Sequence, residues 1–403
     1  MIEVADIERA RERLRGAIYE TPCAFSQTLS ELTGTQCFVK LENLQMTGSF
    51  KERGAANLLL QLTADERRRG VVAASAGNHG LAVAFHAARL QIPAVIVMPE
   101  WAPLVKVTSA RRYGAEVILH GTDFDEAYAR ARELTRSRGG VFAHPFDDDR
   151  IIAGQGTLGL ELLEQRPDLD AVIVPVGGGG LIGGVALAMK ARRAEMRVIG
   201  VEAAALPAMR RSLDAGHSFA VPQAPTIADG IAVRQVGERT LDLARKYVDE
   251  VVTVTEEELS NAILLLLEIE KTVVEGAGAA PLAALLNRSL DVKGSRVALV
   301  LSGGNIDVTM ISRIIERGLV KDGRLVRLGV VVRDRPGALA RLTSLVAEER
   351  ANVVAIEHDR AFARRVAVGE TEVELTLETS GNPQIAALKR RLESAGYRVE
   401  ERG

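Results

Sequence analysis

The chain has 403 residues, 47% hydrophobic and 26% charged, which is typical of a soluble globular protein and predicts two or three compact units. A formal net charge of −2 at pH 7 provides no basic surface for nucleic acid, so we expect no nucleic-acid partner. No apolar run is long enough to span a membrane, and the N-terminal segment lacks the apolar stretch of a secretory signal. The two cysteines, Cys23 and Cys37, suit neither a disulfide framework nor a metal site. We therefore expect a cytoplasmic protein with buried, reduced thiols and no membrane contact.

Short β-branched segments alternate with longer segments of helical periodicity between about residues 37 and 317. This alternation predicts an α/β fold with parallel strands, and the continuous apolar runs predict strands covered on both faces by helices. Strands are predicted at 37–42, 71–75, 94–99, 115–120, 171–176, 197–202 and 296–304.

The pattern changes after Gly318 to alternating strands around two helices. The order predicted over 321–403 is βαββαβ, which indicates an α+β, ferredoxin-like module. A Lys-Asp-Gly turn places the domain boundary near residue 320, with one domain over 1–320 and a second over 326–403.

The first motif that carries chemistry is TGSFK, at 47–51. Lys51 is predicted to open a helix, with Thr47 or Ser49 as the N-cap and Gly48 at the turn. A lysine in the first helical turn lies at the positive end of the helix dipole, which lowers the pKa of its amine and favours Schiff-base chemistry. From this segment alone, a solvated surface lysine remains the alternative.

The second motif is the turn Ser75-Ala76-Gly77-Asn78, which joins a strand directly to a helix. The N–H groups at such a helix start predict a site for a carboxylate or a phosphate. The Asn78 amide can donate to a phenolate-type oxygen, whereas a lone histidine such as His79 is more often structural than catalytic.

The third motif is the run Gly177–Gly180, which follows a buried strand and opens a helix, so that its N–H groups can surround a phosphate. Gly178, Gly180 and Gly183 also fit G-x-G-x-x-G, and Glu202 ends the next strand. Taken alone, this segment favours a dinucleotide, and hence an NAD-dependent dehydrogenase.

The fourth motif is Ser302-Gly303-Gly304-Asn305, at the end of a buried strand. Ser302 is expected at the carboxyl end of the sheet, where α/β proteins bind ligands. A helix N-cap role for Ser302 or Asn305 is an equally good interpretation of this segment.

Together, in this order, the four motifs resemble those of the threonine dehydratase and serine racemase family of fold type II pyridoxal-phosphate enzymes. The resemblance covers about 15–317. It implies a tryptophan synthase β-like fold of two parallel or mixed open sheets, with a large subdomain of about 1–51 and 147–320 and a small subdomain of about 52–146. It implies pyridoxal 5′-phosphate as cofactor, L-threonine dehydration to 2-oxobutanoate and ammonia, and L-serine as a second substrate. The dinucleotide interpretation is set aside because it leaves the other three motifs unexplained.

The resemblance also implies a role for each motif residue. Lys51 carries the cofactor and then serves as the general base, Asn78 contacts the cofactor O3′, and Ser302 contacts the pyridine nitrogen. The cofactor-binding residues implied are Phe50, Lys51, Asn78, Gly177, Gly178, Gly179, Gly180, Leu181, Gly230 and Ser302, and those for the substrate carboxylate are Ser75, Ala76, Gly77, Asn78 and His79.

Three positions depart from the family pattern. Leu81 replaces the usual glutamine, which we expect to remove a polar group near the site. Ala76 replaces the serine that racemases carry, so we expect little racemisation. Ala208 stands where some members have a metal-binding aspartate six residues after Glu202, so we expect no bound metal.

The C-terminal module resembles an ACT domain, with Asp334, Gly337 and Asn352 as the expected effector residues. An amino-acid effector is expected, isoleucine before valine because it ends the pathway that threonine dehydration opens. A dimerisation element without a ligand is the alternative, and edge strands favour a homodimer or homotetramer. The alternative functions are dehydration of L-serine or threo-3-hydroxyaspartate and, more distantly, a non-catalytic amino-acid sensor or the dehydrogenase.

Overall fold

The computed structural model describes residues 2–102, 104–359 and 367–402. It divides into two compact units between Ile306 and Asp307. The sequence placed this boundary near residue 320, after the helix Val308–Lys321. That helix packs against the first strand of the second unit, which moves the division to its N-terminal side.

The first unit is an α/β domain, as the strand and helix pattern predicted. Its strands are β1 (Cys23–Ser26), β2 (Gln36–Lys40), β3 (Val71–Ala74), β4 (Ala94–Met98), β5 (Glu116–Leu119), β6 (Val141–Phe142), β7 (Ala171–Pro175), β8 (Arg197–Ala203), β9 (Glu250–Val254) and β10 (Arg296–Val300). Its helices are α1 (Val4–Leu14), α2 (Gln27–Thr33), α3 (Lys51–Leu60), α4 (Ala64–Arg69), α5 (Asn78–Arg89), α6 (Leu104–Arg112), α7 (Phe124–Arg138), α8 (Asp149–Gln165), α9 (Gly180–Arg192), α10 (Ala208–Ala215), α11 (Glu238–Tyr247), α12 (Glu256–Ile269) and α13 (Gly276–Asn287).

Two sheets organise this unit within the described residues. The larger has the order β1-β2-β10-β7-β8-β9 and is parallel except for β1, and the smaller is parallel with the order β5-β4-β3-β6. Every residue of β4 and β7 is buried, as expected of parallel strands covered on both faces. The fold of two parallel or mixed sheets is confirmed. The sequence missed β1, β6 and β9, because β6 is only two residues long and most residues of the other two strands, three of four in β1 and three of five in β9, are incompletely buried.

Each sheet has its own apolar core. Val174, Ile182 and Met189 belong to the core of the larger sheet. Leu58, Val83 and Ile96 belong to that of the smaller sheet. Among the described residues, no helix has the length and apolar character needed to cross a membrane.

The second unit has the predicted βαββαβ order, preceded by one helix. Its elements are α14 (Val308–Lys321), β11 (Leu325–Arg333), α15 (Ala338–Glu348), β12 (Asn352–Asp359), β13 (Glu370–Glu378), α16 (Asn382–Ser394) and β14 (Arg398–Arg402). The strands form an antiparallel sheet in the order β12-β13-β11-β14, so β12 and β14 are its edges. Every second residue along β11, and most of the corresponding residues along β13, are buried in one core with residues of α15 and α16. Residues 365 and 366, expected to begin the third strand of the module, lie outside the described residues.

Candidate active site

A cavity of about 770 Å³ in the first unit lies at the carboxyl ends of strands from both sheets. Ser75 follows β3 and Ser302 lies just beyond β10, so the two sheets contribute opposite walls. All the residues that the resemblance assigned to cofactor and substrate line this cavity: Phe50, Lys51, Ser75, Ala76, Gly77, Asn78, His79, Gly177, Gly178, Gly179, Gly180, Leu181, Gly230 and Ser302.

Lys51 is the first residue of α3, but the expected cap is wrong. Phe50 occupies the N-cap position and makes no side-chain cap. Thr47 instead directs its backbone N–H and hydroxyl to the Glu52 carboxylate, and the buried Ser49 hydroxyl has no hydrogen-bond partner among the described residues. Gly48 does form the turn, with a φ of 78°.

Buried ion pairs hold the first turn of α3 in place. Arg53 donates to Glu42 Oε1 at 2.6 Å and to Glu161 Oε2 at 2.9 Å. The Glu52 carboxylate also contacts His86 on α5. These contacts substitute for a side-chain cap, so the backbone around Lys51 is fixed from both sides.

The Lys51 amine lies in a desolvated part of the cavity. Its Nζ donates to the Pro145 carbonyl at 2.9 Å. Burial lowers the pKa of Lys51 to about 8, against the opposing effect of the Glu275 carboxylate. A lysine with a pKa near 8 is neutral often enough at neutral pH to act as a nucleophile or base.

The turn before α5 holds Asn78 in a defined orientation. Gly77 is the N-cap and provides no side chain, so the first N–H groups of α5 face the cavity without a side-chain cap. Asn78 Oδ1 accepts from Asn305 Nδ2 at 2.9 Å, and Asn78 Nδ2 donates to Glu275 Oε1 at 2.8 Å. Since an amide nitrogen carries two hydrogens, Nδ2 can donate a second bond into the cavity.

His79 is buried beneath this turn. Its Nε2 lies 2.9 Å from the Ala143 carbonyl oxygen, which fixes Nε2 as the donor. Burial lowers the pKa of His79 to about 3, with Lys51 contributing in the same direction. His79 is therefore neutral at physiological pH, and its contacts are those of a structural residue.

The glycine run encloses space that a side chain would fill. Gly179 has a φ of 91° and is the N-cap of α9, which begins at Gly180. A Cβ on Gly178 would overlap the Phe146 ring, and one on Gly180 would lie 2.9 Å from the Phe146 carbonyl oxygen. This glycine-only cradle at a helix N-terminus fits a phosphate group.

The acidic residue of the dinucleotide interpretation does not face this cradle. The Glu202 carboxylate accepts the backbone N–H groups of Met209 at 2.6 Å and Arg210 at 2.8 Å, at the start of α10. It is therefore occupied within the protein and is not placed to bind a ribose.

Ser302 is buried at the cavity wall, and its carbonyl oxygen accepts from Phe50 N at 3.0 Å. The fourth motif is thus bonded directly to the Lys51 loop. The following helix has Asp307 at its N-cap, so the alternative cap role for Ser302 or Asn305 is wrong.

Two other predicted features are placed differently. Leu81 is buried in the small-sheet core and does not line the cavity, so its replacement of glutamine does not alter the polarity of the wall. Cys23 is only partly buried, unlike Cys37, and both are free thiols.

Searched over the described ranges, no cluster of three or more histidine, cysteine or carboxylate side chains could hold a metal ion.

The expected effector residues do not meet within one chain. Gly337, with a φ of 85°, is the N-cap of α15, close after Asp334 at the end of β11. Asn352 pairs with Glu378 in the sheet, and Glu378 pairs with Leu325, the first residue of β11. Because Asp334 follows the last residue of β11, Asn352 and Asp334 are separated by on the order of 30 Å along that strand. A cavity of about 270 Å³ in this unit is lined by none of the three and lies between β11, β13 and β14.

Sequence reasoning missed three wall residues. Lys106 Nζ donates to Asp229 Oδ2 at 2.8 Å, and Glu275 lies buried behind Asn78. The only signal for Glu275 was an acidic residue directly before a helix rich in glycine and alanine, in the segment EGAGAAP. Asp229 directly precedes Gly230, which the resemblance assigned to the cofactor, whereas Lys106 belongs to a segment with no distinguishing pattern.

Comparison with known proteins agrees with this geometry. A model of the pyridoxal-phosphate dependent enzyme family matches residues 14–303, and an ACT domain model matches 326–395. The L-threonine ammonia-lyase of Thermotoga maritima is 52% identical over 399 residues, covering 99% of this chain and 99% of that protein. A maize serine racemase structure has a TM-score of 0.75 at 35% identity, covering 79% of this chain and 98% of its own. The processed form of threonine deaminase isoform 2 from Solanum lycopersicum has a TM-score of 0.74 at 36% identity, with coverages of 77% and 91%.

Proposed function

Because the chain belongs to the pyridoxal-phosphate dependent enzyme family, we propose that it is a lyase converting L-threonine to 2-oxobutanoate and ammonia, and L-serine to pyruvate and ammonia. The observation that carries this proposal is the position of the Lys51 amine, in one cavity with the glycine cradle and Ser302. When bound, pyridoxal 5′-phosphate supplies an electron sink for the pair released at the substrate α-carbon.

The residues of this chain supply binding, orientation and proton transfer. The N–H groups at the start of α5 bind the substrate carboxylate, and those of Gly177–Gly180 bind the cofactor phosphate. The Lys51 amine, which donates to the Pro145 carbonyl, would hold the cofactor, and its Nζ would accept the α-proton of the substrate. Ser302, which lines the cavity, would hold the pyridine nitrogen of the cofactor with a neutral hydroxyl rather than a carboxylate and so would not enforce a charge on that nitrogen.

The similarity to maize serine racemase raises the question of whether this chain also racemises its substrates. A racemase needs a second proton donor on the face opposite the lysine. Ala76 occupies the matching position in the turn and carries no titratable group. We therefore propose elimination without appreciable racemisation, and D-serine formation at a rate comparable to pyruvate formation would contradict it.

The second unit contains an ACT domain, and we propose that it is regulatory and binds isoleucine, or else valine, in an oligomer. Since Asn352 and the Asp334–Gly337 loop lie at opposite ends of one sheet, a site using all three requires a second copy. The edge strands β12 and β14 provide the pairing surface, which supports a homodimer or homotetramer. Free thiols at Cys23 and Cys37 support a cytoplasmic location.

The test is to incubate the purified yellow protein with L-threonine, L-serine and threo-3-hydroxyaspartate and to measure the 2-oxo acids released. We expect 2-oxobutanoate from L-threonine and no saturable NAD binding. Lys51→Ala should abolish turnover and prevent borohydride from fixing the cofactor to the protein. Bound cofactor without turnover of any of the three amino acids would favour the sensor alternative, and near-normal activity of Lys51→Ala would refute the assignment.

A further inference from the structure

Glu275 is a buried carboxyl group that faces the cavity from the start of α13. It is 2% exposed and occupies the N-cap position, yet its side chain makes no capping bond to the helix. Acidic N-cap residues ordinarily accept the first helical N–H groups. Here the side chain turns away from α13 and lines the cavity instead.

Two glycines confine this carboxyl group. A Cβ on Gly230 would lie 2.9 Å from Glu275 Oε1, and one on Gly303 would lie 2.5 Å from the same atom. The Glu275 backbone N–H also donates to the Gly303 carbonyl at 3.0 Å. The position of the carboxylate is therefore fixed by close backbone approach on two sides.

Its two oxygens differ in their contacts. Oε1 accepts from Asn78 Nδ2 at 2.8 Å, whereas Oε2 is buried without a hydrogen bond of ordinary geometry among the described residues. The nearby Asn305 backbone N–H acts on this carboxyl group and lowers its pKa. Buried polar atoms in folded proteins almost always have a hydrogen-bond partner, so a carboxylate oxygen without one in a cavity wall calls for a partner in the working enzyme.

A chain of hydrogen bonds passes from Glu275 to the Lys51 loop. Asn305 Nδ2 donates both to Asn78 Oδ1 and to the Thr47 carbonyl, at 2.9 and 2.7 Å. With Glu275 accepting from its nitrogen, the Asn78 amide is held at both ends. Only one orientation of the amide satisfies these contacts, and it leaves one amide hydrogen for a ligand.

Glu275 also acts on the Lys51 amine through its charge. Burial raises the pKa of Glu275 to about 7, Asp229 acts in the same direction, and Lys106 and Asn78 oppose it. In return, the charge of Glu275 raises the pKa of Lys51 against the effect of burial. When Lys51 Nζ accepts a proton in this desolvated site, a facing carboxylate stabilises the resulting ammonium.

We propose that Glu275 is a positioning residue for this reaction: its carboxyl group orients the Asn78 amide and balances the charge that Lys51 acquires as base. The proposal rests on the proposed function for its kinetic consequences. The orientation of the Asn78 amide and the electrostatic effect of Glu275 on Lys51 can both be measured in the cofactor-loaded protein without substrate. They can therefore be tested even if the proposed function is wrong.

The decisive variant is Glu275→Gln, which keeps an oxygen for Asn78 Nδ2 and removes the charge. The matched control is Glu202→Gln, another buried carboxyl whose pKa burial raises to about 7 but which does not line the cavity. The readouts are the pH dependence of kcat with L-threonine, the pH titration of the bound cofactor's absorbance without substrate, and cofactor affinity. Affinity is followed by fluorescence of Trp101, the only tryptophan, which lines the cavity.

For Glu275→Gln we expect kcat to fall on the order of 10- to 100-fold. The midpoint pH of the absorbance titration should shift by about one unit, whereas the Kd for the cofactor should change less than about threefold. Glu275→Ala, which also releases Asn78, should in addition raise KM. The control should leave both pH profiles unchanged. A Glu275→Gln enzyme with the wild-type pH profile and absorbance titration would overturn the proposal.

Two further outcomes remain decisive. If Glu275→Gln does not fold, Glu275→Asp keeps the charge with a shorter side chain and should keep the absorbance titration while raising KM; an unchanged KM would overturn the proposal. If the wild-type protein binds the cofactor but does not convert L-threonine, the proposed function fails, and the absorbance titration still decides the role of Glu275.

Discussion

Lys106 Nζ donates to Asp229 Oδ2 at 2.8 Å and thereby joins α6 beside the small sheet to the segment that carries Gly230. A second pair, Arg234 Nη1 with Asp125 Oδ2 at 2.8 Å, joins α7 to the same segment. All four residues line the cavity, so two ion pairs cross from one wall to the other. Lys106 Nζ also lies 4.0 Å from where a Cβ on Gly77 would be, beside the turn that we propose binds the substrate carboxylate.

The two pairs should contribute unequally to substrate binding. Asp229→Asn removes one charged partner of the Lys106 ammonium and the ion pair that joins the two walls beside the Gly77 turn, so we expect KM for L-threonine to rise about tenfold, or ~1.4 kcal/mol. Arg234→Gln breaks the more exposed pair and should change KM less than about threefold, since such pairs contribute ~0–1 kcal/mol. Steady-state kinetics at low and high salt and the Trp101 fluorescence change on adding substrate check this. Equal effects of the two variants would contradict it.

The glycine cradle gives a steric prediction. The Cβ of Gly178→Ala would overlap the Phe146 ring, so the Kd for pyridoxal 5′-phosphate should rise at least about tenfold. Gly183→Ala is the control, because Gly183 lies about one turn further along α9. Its new Cβ would lie 3.2 Å from the Leu243 side chain, which is not part of the cradle. Equilibrium dialysis measures both affinities. Parallel losses in the two variants would mean that the glycine run does not hold the phosphate.

Glu202 predicts a pH-dependent change in stability. Burial raises its pKa to about 7 in the folded protein, so the folded state holds a proton more tightly than the unfolded chain between about pH 4.5 and 7. Stability therefore falls as pH rises through that window, by up to ~3 kcal/mol from this group. Urea unfolding of the apoprotein and of Glu202→Gln at pH 5 and pH 7.5 measures the difference. The prediction fails if the two proteins lose stability equally.

Effector control should reside in the second unit. Isoleucine should alter threonine kinetics in the full chain, with a coupling of roughly 1–3 kcal/mol between the two sites. The chain should be cut after Ile306 because α14 packs against β11 and would be left without its partner by a cut near residue 320. Kinetics with isoleucine and valine, in the full chain and in the truncated chain, check this. Sensitivity that survives truncation would place the effector site in the first unit, and no response in either would favour the dimerisation element.

Local sequence patterns were sufficient for the parallel core and for the four motifs around the cavity. The strands β3, β4, β7 and β10 are continuous apolar runs that end in polar or glycine-rich turns, and parallel strands bring such ends to one edge. The motif residues therefore meet at the cavity: Lys51, Asn78, Gly178 and Ser302. Each of them closely follows a buried strand or opens the next helix, and a few adjacent residues in the sequence are enough to show this.

Contacts between distant segments were decided only by the tertiary structure. Asn78 and Glu275 are 197 residues apart, and their bond depends on how the fold brings the start of α13 to the start of α5, for which no local pattern exists. The same holds for Leu81, which helix packing turns into the small-sheet core, and for Lys51, whose helix is held by ion pairs rather than by a cap. Burial, and with it every shifted pKa in the cavity, follows from three-dimensional packing, because the desolvation of a group depends on neighbours that the chain brings from anywhere along its length.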